Sequence, residues 1–134
     1  MRTCGWLWFG AGTLIPKEPG LGSIWPTKSS SFFCRFTQMT VLRLLTTDQI
    51  MGTDTKTMSE AWSLWDRIWA DSRISFLPEP DDLEREFRSR SRLSSRSPKV
   101  WADAYLLAFA ASAGLKLVTF DRALQSRSAD VLVL

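Results

Sequence analysis

The pattern of apolar and polar positions becomes regular only after about residue 31. Before that point, five of the seven glycines interrupt the chain, Glu18 is the single acid, and no stretch keeps a helical or strand period. We therefore expect an atypical segment over residues 1–31 and one folded domain over residues 32–134. The alternative is a divergent but genuine N-terminus that forms its own strand over residues 6–9.

From residue 32 onward, short apolar runs alternate with helical patterns. The runs predict strands over residues 32–36, 73–77, 115–120 and 131–134. The helical patterns predict helices over residues 39–45, 57–69, 81–91 and 101–113, the last ended by Gly114. Strands that alternate with helices indicate an α/β domain with a parallel sheet covered on both faces.

Two of these helices carry apolar stripes that we expect to face inward. In the first, the stripe is formed by Met39, Leu42 and Leu45. The second begins with a capping box, Thr57-x-x-Glu60. Its stripe is Met58, Ala61, Trp62, Trp65, Ile68 and Trp69. The tryptophans could stack on bases, but at helical spacing we expect them to contact the core or a partner helix.

Composition excludes several classes of chemistry. The 134 residues include no histidine, which excludes Ser-His-Asp and Cys-His catalysis and histidine-bound zinc. Cys4 and Cys34 are too few for a disulfide framework or a four-cysteine zinc site. The net charge of +3 fits a nucleic-acid partner without requiring one. No apolar run approaches the ~20 residues of a membrane span, so we expect a cytoplasmic protein with no membrane partner.

Two carboxylates are the candidates for chemistry. Asp103 lies in the first turn of a predicted helix, and Asp121 directly follows a predicted strand. A helix that precedes a strand of a parallel sheet runs antiparallel to it, so both residues should reach the carboxyl edge of the sheet. Paired carboxylates there can ligate Mg²⁺ or Mn²⁺. The alternative is that one is a helix-cap residue and the other a turn residue.

The segments around these two residues resemble the PIN-domain ribonucleases of the VapC toxin type. The resemblance is carried by Trp101-Ala-Asp-Ala-Tyr-Leu-Leu-Ala-Phe-Ala, by residues 114–124 with Thr-Phe-Asp, and by residues 33–46 and 76–80. It implies a small three-layer α/β sandwich with a central parallel sheet. It also implies an endoribonuclease, the toxin of a toxin–antitoxin pair, that uses Mg²⁺ or Mn²⁺. Asp103 and Asp121 would be catalytic metal ligands, and the partners would be RNA, a cognate antitoxin and often a second copy of the chain.

The chain departs from that family at two acidic positions. The family's first metal-binding Asp ends the first strand, whereas this chain has no Asp before Asp48. The family's acid on the helix after the second strand is also missing, because Gln38, Thr40 and Arg43 occupy that region. We expect Gln38 or Thr40 to make at most a weak or water-mediated metal contact. The resemblance therefore implies a ribonuclease whose activity is impaired.

A shift of reading frame would explain the missing Asp. Codons allowed for residues 1–11, read two bases out of phase, can encode Ala-Asp-Val-Trp-Val-Ala-Leu-Val-Trp-Gly. The next stretch can encode His-Pro-His and then Ala-Arg-Ala-Trp-Phe. That string resembles the family's first strand and helix, including its Asp. We hypothesise that residues 1 to about 30 are an out-of-frame reading of that segment.

Two other functions stay open. One is a catalytically inactive PIN remnant that binds an antitoxin or another protein. The other is an RNA-binding module that uses the basic cluster between residues 85 and 99, which we interpret first as a solvated helix end. Glu79 could be an outer metal ligand, although a role in positioning its loop is the simpler interpretation. Asp81 and Asp82 are better explained as acids at a helix N-terminus.

Overall fold

The computed structural model describes residues 13–16, 31–119 and 121–133. These residues form five strands and six α-helices, with a short 3-10 turn over Gly52–Asp54. The elements are β1 (Thr13–Pro16), β2 (Ser31–Phe33), α1 (Arg35–Leu45), α2 (Asp48–Met51), α3 (Met58–Trp69), β3 (Ile74–Phe76), α4 (Leu83–Ser91), α5 (Val100–Ala113), β4 (Leu115–Thr119), α6 (Arg122–Gln125) and β5 (Val131–Val133). The alternative strand over residues 6–9 lies outside the described residues.

The five strands form one mixed sheet in the order β3-β2-β1-β4-β5. The pairs β2–β3 and β4–β5 are parallel, whereas β1 is antiparallel to both of its neighbours. Four strands therefore share one direction and end at the same edge. The predicted α/β class is confirmed, and the arrangement agrees with the PIN-like sandwich that the resemblance implies. The reversed direction of β1 is the difference from the parallel sheet that we expected.

The central position of β1 is explained by the burial of its apolar side chain and not by an alternating pattern of apolar and polar residues. Leu14 has no exposed surface, and it is paired with Phe32 of β2 and with Leu117 of β4. An apolar segment that fills the centre of a sheet removes two strand edges from water and buries its side chain. A strand over Thr13–Pro16 was not predicted, because the region around it is rich in Gly and Pro.

The core is built around α5 and β4. Leu106 and Phe109 of α5 and Leu115 and Leu117 of β4 are all fully buried. Gly114 ends α5 in the left-handed conformation, with φ of 67°, and β4 begins at the next residue. Glycine adopts this conformation without steric cost. This tight turn folds β4 back along α5, so the first turn of α5 lies toward the edge where β4 ends.

The boundary between β2 and α1 differs from the prediction. The strand ends at Phe33, and the helix begins at Arg35 rather than at residue 39. The backbone N–H of Cys34 donates to Thr37 Oγ1 at 3.0 Å, and that hydroxyl donates back to the Cys34 carbonyl at 2.9 Å. These bonds close the first turn early and rotate the buried face. As a result Thr37 and Gln38 are buried, and the prediction that Met39 points inward is wrong, since it is 51% exposed.

The start of α3 is confirmed, but its stripe is only partly buried. Thr57 Oγ1 accepts from the backbone N–H of Glu60, and Glu60 Oε2 accepts from the backbone N–H of Thr57. Ala61 and Trp65 are buried, and Trp65 stacks edge-on against Phe33 of β2. Ile68 is half-buried, and Met58, Trp62 and Trp69 are exposed.

Candidate metal centre

Asp103 is the more deeply buried of the two candidate ligands. It lies in the first turn of α5, and its side chain is 8% exposed. One carboxylate oxygen, Oδ2, accepts from Arg127 Nη1 at 3.1 Å. The other, Oδ1, is buried and has no hydrogen-bond partner among the described residues. Burying a carboxylate oxygen without a hydrogen-bond donor costs free energy. A bound cation would remove that cost, so this atom is suited to ligate one.

Asp121 lies at the other side of the same edge, after β4 and at the start of α6. Its Oδ1 accepts from the backbone N–H of Ala123 at 2.9 Å and caps that short helix. Its own backbone N–H donates to Thr119 Oγ1 at 3.1 Å, which fixes the turn. Its Oδ2 is buried and likewise has no partner within the described part of the chain. Capping accounts for one oxygen of Asp121 and leaves the other free.

The two carboxylates are close enough to influence each other. Burial raises the pKa of Asp103 to about 6, the charge of Arg127 opposes that rise, and the negative charge of Asp121 adds to it. Burial disfavours the charged form of a carboxyl, and a neighbouring like charge does the same. The structure thus brings together the two residues that the sequence analysis selected, in a site whose electrostatics favour an added positive charge.

The donor set fits part of a hard-cation site. Mg²⁺ prefers oxygen ligands and is commonly held by one or two carboxylates together with several waters. Asp103 Oδ1 and Asp121 Oδ2 are two such oxygens. Across residues 13–16, 31–119 and 121–133, however, no group of three or more His, Cys, Asp or Glu side chains could hold a metal ion. The described residues therefore offer two carboxylates, without a third.

The polar side chains in the region of the family's second acid are engaged within α1. Gln38 Oε1 accepts from the guanidinium of Arg35. Thr40 Oγ1 donates to the carbonyl of Phe36 at 2.9 Å. Arg43 is exposed, and its carbonyl accepts from the hydroxyls at the end of the helix. None of these hydrogen bonds joins α1 to Asp103 or Asp121.

Glu79 contacts a neighbour of the site rather than the site itself. Its Oε1 accepts from the hydroxyl of Tyr105 at 2.7 Å. Burial and this hydrogen bond raise the pKa of Tyr105 well above its usual range. The bond ties the loop after β3 to α5, which supports the interpretation of Glu79 as a residue that positions its loop.

The basic side chains of α4 are largely paired with acids one turn away. Arg85 Nη2 lies 3.2 Å from Asp82 Oδ2, and Arg88 Nε lies 2.6 Å from Glu84 Oε1. Arg90 Nε lies 3.5 Å from Glu86 Oε2. The first two pairs are well exposed and contribute little to stability, whereas Arg90 and Glu86 are only about one third exposed. This geometry supports the interpretation of the cluster as a solvated helix, and it places Asp82 beside Arg85 at the N-terminus of α4.

Arg127 is the residue of this site that sequence analysis missed. It follows α6 and reaches back to the first turn of α5, 24 positions earlier. Nothing in its spacing indicates that contact, because the two segments meet only through the fold. The longest helix in the described part of the chain, α5, has 14 residues, and none of the described helices could span a bilayer.

Comparison with known proteins identifies relatives that carry a ribonuclease name. No protein-family model matches the chain, and no solved structure matches it. The protein named ribonuclease VapC41 of Mycobacterium tuberculosis, in strains CDC 1551 / Oshkosh and ATCC 25618 / H37Rv, is 44% identical over 95 residues. The match covers 68% of this chain and 65% of the relative, so the chain spans just under two thirds of its length. The predicted resemblance is therefore confirmed: over these residues the chain is similar to a ribonuclease of the VapC type.

Proposed function

We propose that this chain is a divalent-metal-dependent endoribonuclease, the toxin of a toxin–antitoxin pair, with Asp103 and Asp121 as its metal ligands. The observation that carries the proposal is the pair of buried, partnerless carboxylate oxygens, one on each residue. The 44% identity to a ribonuclease supports RNA as the substrate class. The resemblance to VapC toxins adds a cognate antitoxin and a second copy of the chain as proposed partners, and the cytoplasm as the proposed compartment.

The proposed chemistry divides between the cation and the chain. Bound Mg²⁺ or Mn²⁺ would activate water and offset charge on the scissile phosphate. Asp103 Oδ1 and Asp121 Oδ2 would hold the ion. The N–H of Ala123 fixes the carboxylate of Asp121, so this side chain does not have to reorganise before it binds. Arg127 Nη1 donates to Oδ2 of Asp103 and leaves Oδ1 to the ion.

We propose further that activity is weak, because residues 1 to about 30 are an out-of-frame reading of the first strand and helix. The absence of any Asp before Asp48, where the resemblance implies one at the end of the first strand, supports this. The nucleotide sequence of the gene tests it directly. Codons that cannot encode the Asp-containing strand in the alternative frame would end the frameshift proposal.

The activity test compares the chain as written with a protein rebuilt in the alternative frame. Each is incubated with a mixed RNA pool, with and without Mn²⁺. We expect weak or no cleavage by the chain as written and metal-dependent cleavage by the rebuilt protein, because a third anionic ligand binds the cation more tightly. Asp103→Asn and Asp121→Asn should each abolish cleavage in the rebuilt protein. Asp66→Asn, the same change on the exposed face of α3, is the matched control and should leave cleavage unchanged.

Three outcomes would contradict these proposals in different ways. Strong Mn²⁺-dependent cleavage by the chain as written would show that its N-terminal segment is adequate. No cleavage by the folded rebuilt protein would count against the nuclease itself. Cleavage that survives both Asp→Asn changes would remove the two carboxylates from the reaction.

A second candidate function is an inactive remnant that binds an antitoxin or another protein. It is favoured by the exposed Trp62 and Trp69 on α3 and by the presence of only two described carboxylates at the site. It predicts protein binding without cleavage, and light scattering would show whether the bound partner is a second copy. An RNA-binding module would instead bind RNA without Mg²⁺, with an affinity that falls as salt rises.

A further inference from the structure

We propose that Arg127 is a built-in counter-ion of the acidic pair, which competes with a divalent cation for Asp103. The inference rests on the metal site proposed above and assigns a role to a residue outside that site's ligands. In the metal-free protein the guanidinium compensates the buried carboxylate. When a cation binds, the same positive charge opposes it.

The first step of the argument is the geometry of the contact. Arg127 Nη1 lies 3.1 Å from Asp103 Oδ2, on the oxygen opposite the partnerless Oδ1. Asp103 is 8% exposed and Arg127 is 39% exposed, so a buried acid is met by a base that can still reach water. The other ion pairs described above join side chains within four residues of each other, whereas this one joins α5 to the segment after α6.

The second step is the balance of charge. Asp103 and Asp121 carry two negative charges at the edge of the sheet where β4 ends, and Arg127 adds one positive charge beside them. A divalent cation placed between the carboxylates meets a site of net charge −1 rather than −2. Because the site is partly buried, this repulsion is screened less than it would be on the surface. Loss of the guanidinium should therefore tighten metal binding.

The third step separates this role from a merely structural one. Neutralising Arg127 leaves the carboxylate of Asp103 buried without its partner, which destabilises the metal-free fold. A structural residue would have that effect alone. A competing counter-ion must show two effects of opposite sign, a less stable metal-free protein and a higher affinity for metal.

The experiment measures Mn²⁺ binding by the chain as written, from the electron paramagnetic resonance signal of free Mn²⁺. We compare the unsubstituted protein with Arg127→Gln and with Arg122→Gln. Arg122 is exposed, lies on α6 and carries the same charge, so it controls for the change in net charge. We expect Arg127→Gln to bind Mn²⁺ about tenfold more tightly, as the loss of one nearby charge predicts. Arg122→Gln should bind as the unsubstituted protein does, and Arg127→Lys, which keeps the charge, should not gain affinity.

Urea unfolding in EDTA supplies the second readout. Arg127→Gln should unfold at a lower urea concentration than Arg122→Gln. Side-chain NMR of the unsubstituted protein supplies a third that needs no variant to fold. The Arg127 Nε–Hε resonance should shift as Mg²⁺ is added, and a resonance that stays in place while metal binds would overturn the proposal.

The failures can be told apart. If the unsubstituted protein binds Mn²⁺ and Arg127→Gln binds it equally or more weakly, the counter-ion role is wrong and the metal site stands. If neither protein binds Mn²⁺, the metal site and the counter-ion role fall together.

Discussion

Three carboxylates show how local surroundings decide what an acid can do. Asp71 is tied to Arg73 through both of its oxygens, and those hydrogen bonds lower its pKa to about 2. Asp103 is buried with one oxygen free, and its pKa rises to about 6. Asp121 uses one oxygen to cap α6 and keeps the other free. Both oxygens of Asp71 are engaged by Arg73, whereas Asp103 and Asp121 each keep a buried oxygen available to a metal.

Arg73→Gln should raise the pKa of Asp71 from about 2 toward 3.8, because the guanidinium bonds that lower it are lost. Since the folded pKa lies below the unfolded value, the stabilisation by this pair is present above about pH 4. It is lost as the pH falls toward 2. Carboxyl NMR titration measures the shift, with Arg67→Gln, the same change at an exposed position of α3, as the control. An Asp71 that titrates alike in both variants would show that the hydrogen bonds to Arg73 are not formed in solution.

The candidate ligands could be predicted at the residue scale because each sits at a boundary that the pattern marks. Asp103 follows the start of a long apolar helix, and Asp121 follows an apolar strand. Arg127 sits at no such boundary, and its contact with Asp103 exists only after α5 and α6 have packed. Patterns of apolar and polar residues indicate local secondary structure, so they do not predict a contact between turns that are distant in the chain.

At the scale of elements, helix ends were predictable where their capping chemistry is the usual one. Thr57 and Glu60 form the expected reciprocal cap of α3. Gly114 ends α5 as expected. The start of α1 was missed because Cys34 is not a residue that signals a helix cap, and Thr37 supplies the hydroxyl from inside the helix.

Thr57→Ala should lower the free energy of unfolding by about 1 kcal/mol, because it removes the hydroxyl that accepts from the Glu60 backbone N–H. Urea unfolding measures the change. Ser59→Ala, in the same exposed first turn, is the matched control and should change the stability by less than about 0.5 kcal/mol. Equal effects of the two substitutions would mean that the cap contributes nothing.

Gly114→Ala should lower the free energy of unfolding by about 1 kcal/mol, because a residue with a Cβ is strained at φ of 67°. Among the described residues beyond its two chain neighbours, no atom lies within 4 Å of the added Cβ, so the cost is conformational rather than a clash. Gly114→Asn should cost less, since Asn tolerates the left-handed region better. Thermal unfolding of both variants checks the order, and an Ala variant as stable as the unsubstituted protein would contradict the helix end described here.

At the scale of the whole molecule, the α/β class followed from the alternation of elements, but the direction of the central strand did not. β1 has four paired positions with β4 and one with β2. Its sequence, Thr-Leu-Ile-Pro, is too short to show a period and lies among glycines and prolines. β1 lies between the parallel pairs β2–β3 and β4–β5, and Leu14 is buried there. Both features depend on the assembled sheet and not on the local sequence.

Leu14→Ala should lower the free energy of unfolding by about 3 kcal/mol, because it removes a fully buried side chain from the centre of the sheet. Leu93→Ala, at a side chain that is 54% exposed, should cost less than about 0.5 kcal/mol. Denaturant unfolding compares the two. If the Leu14 variant is as stable as the Leu93 variant, β1 does not occupy the centre of the sheet in solution.

The position of β1 also has a consequence for the order of folding. Among the described strands, it alone bridges the pair β2–β3 and the pair β4–β5, and its partner β4 lies about a hundred residues further along the chain. Contacts at such separation form late, after local ones. Asp103, Asp121 and Arg127 all belong to the α5–β4–α6 half, which can assemble from near neighbours in the chain. The acidic pair and its counter-ion therefore depend mainly on contacts close in the chain, and a change in the N-terminal segment would reach them through the pairing of β1 with β4.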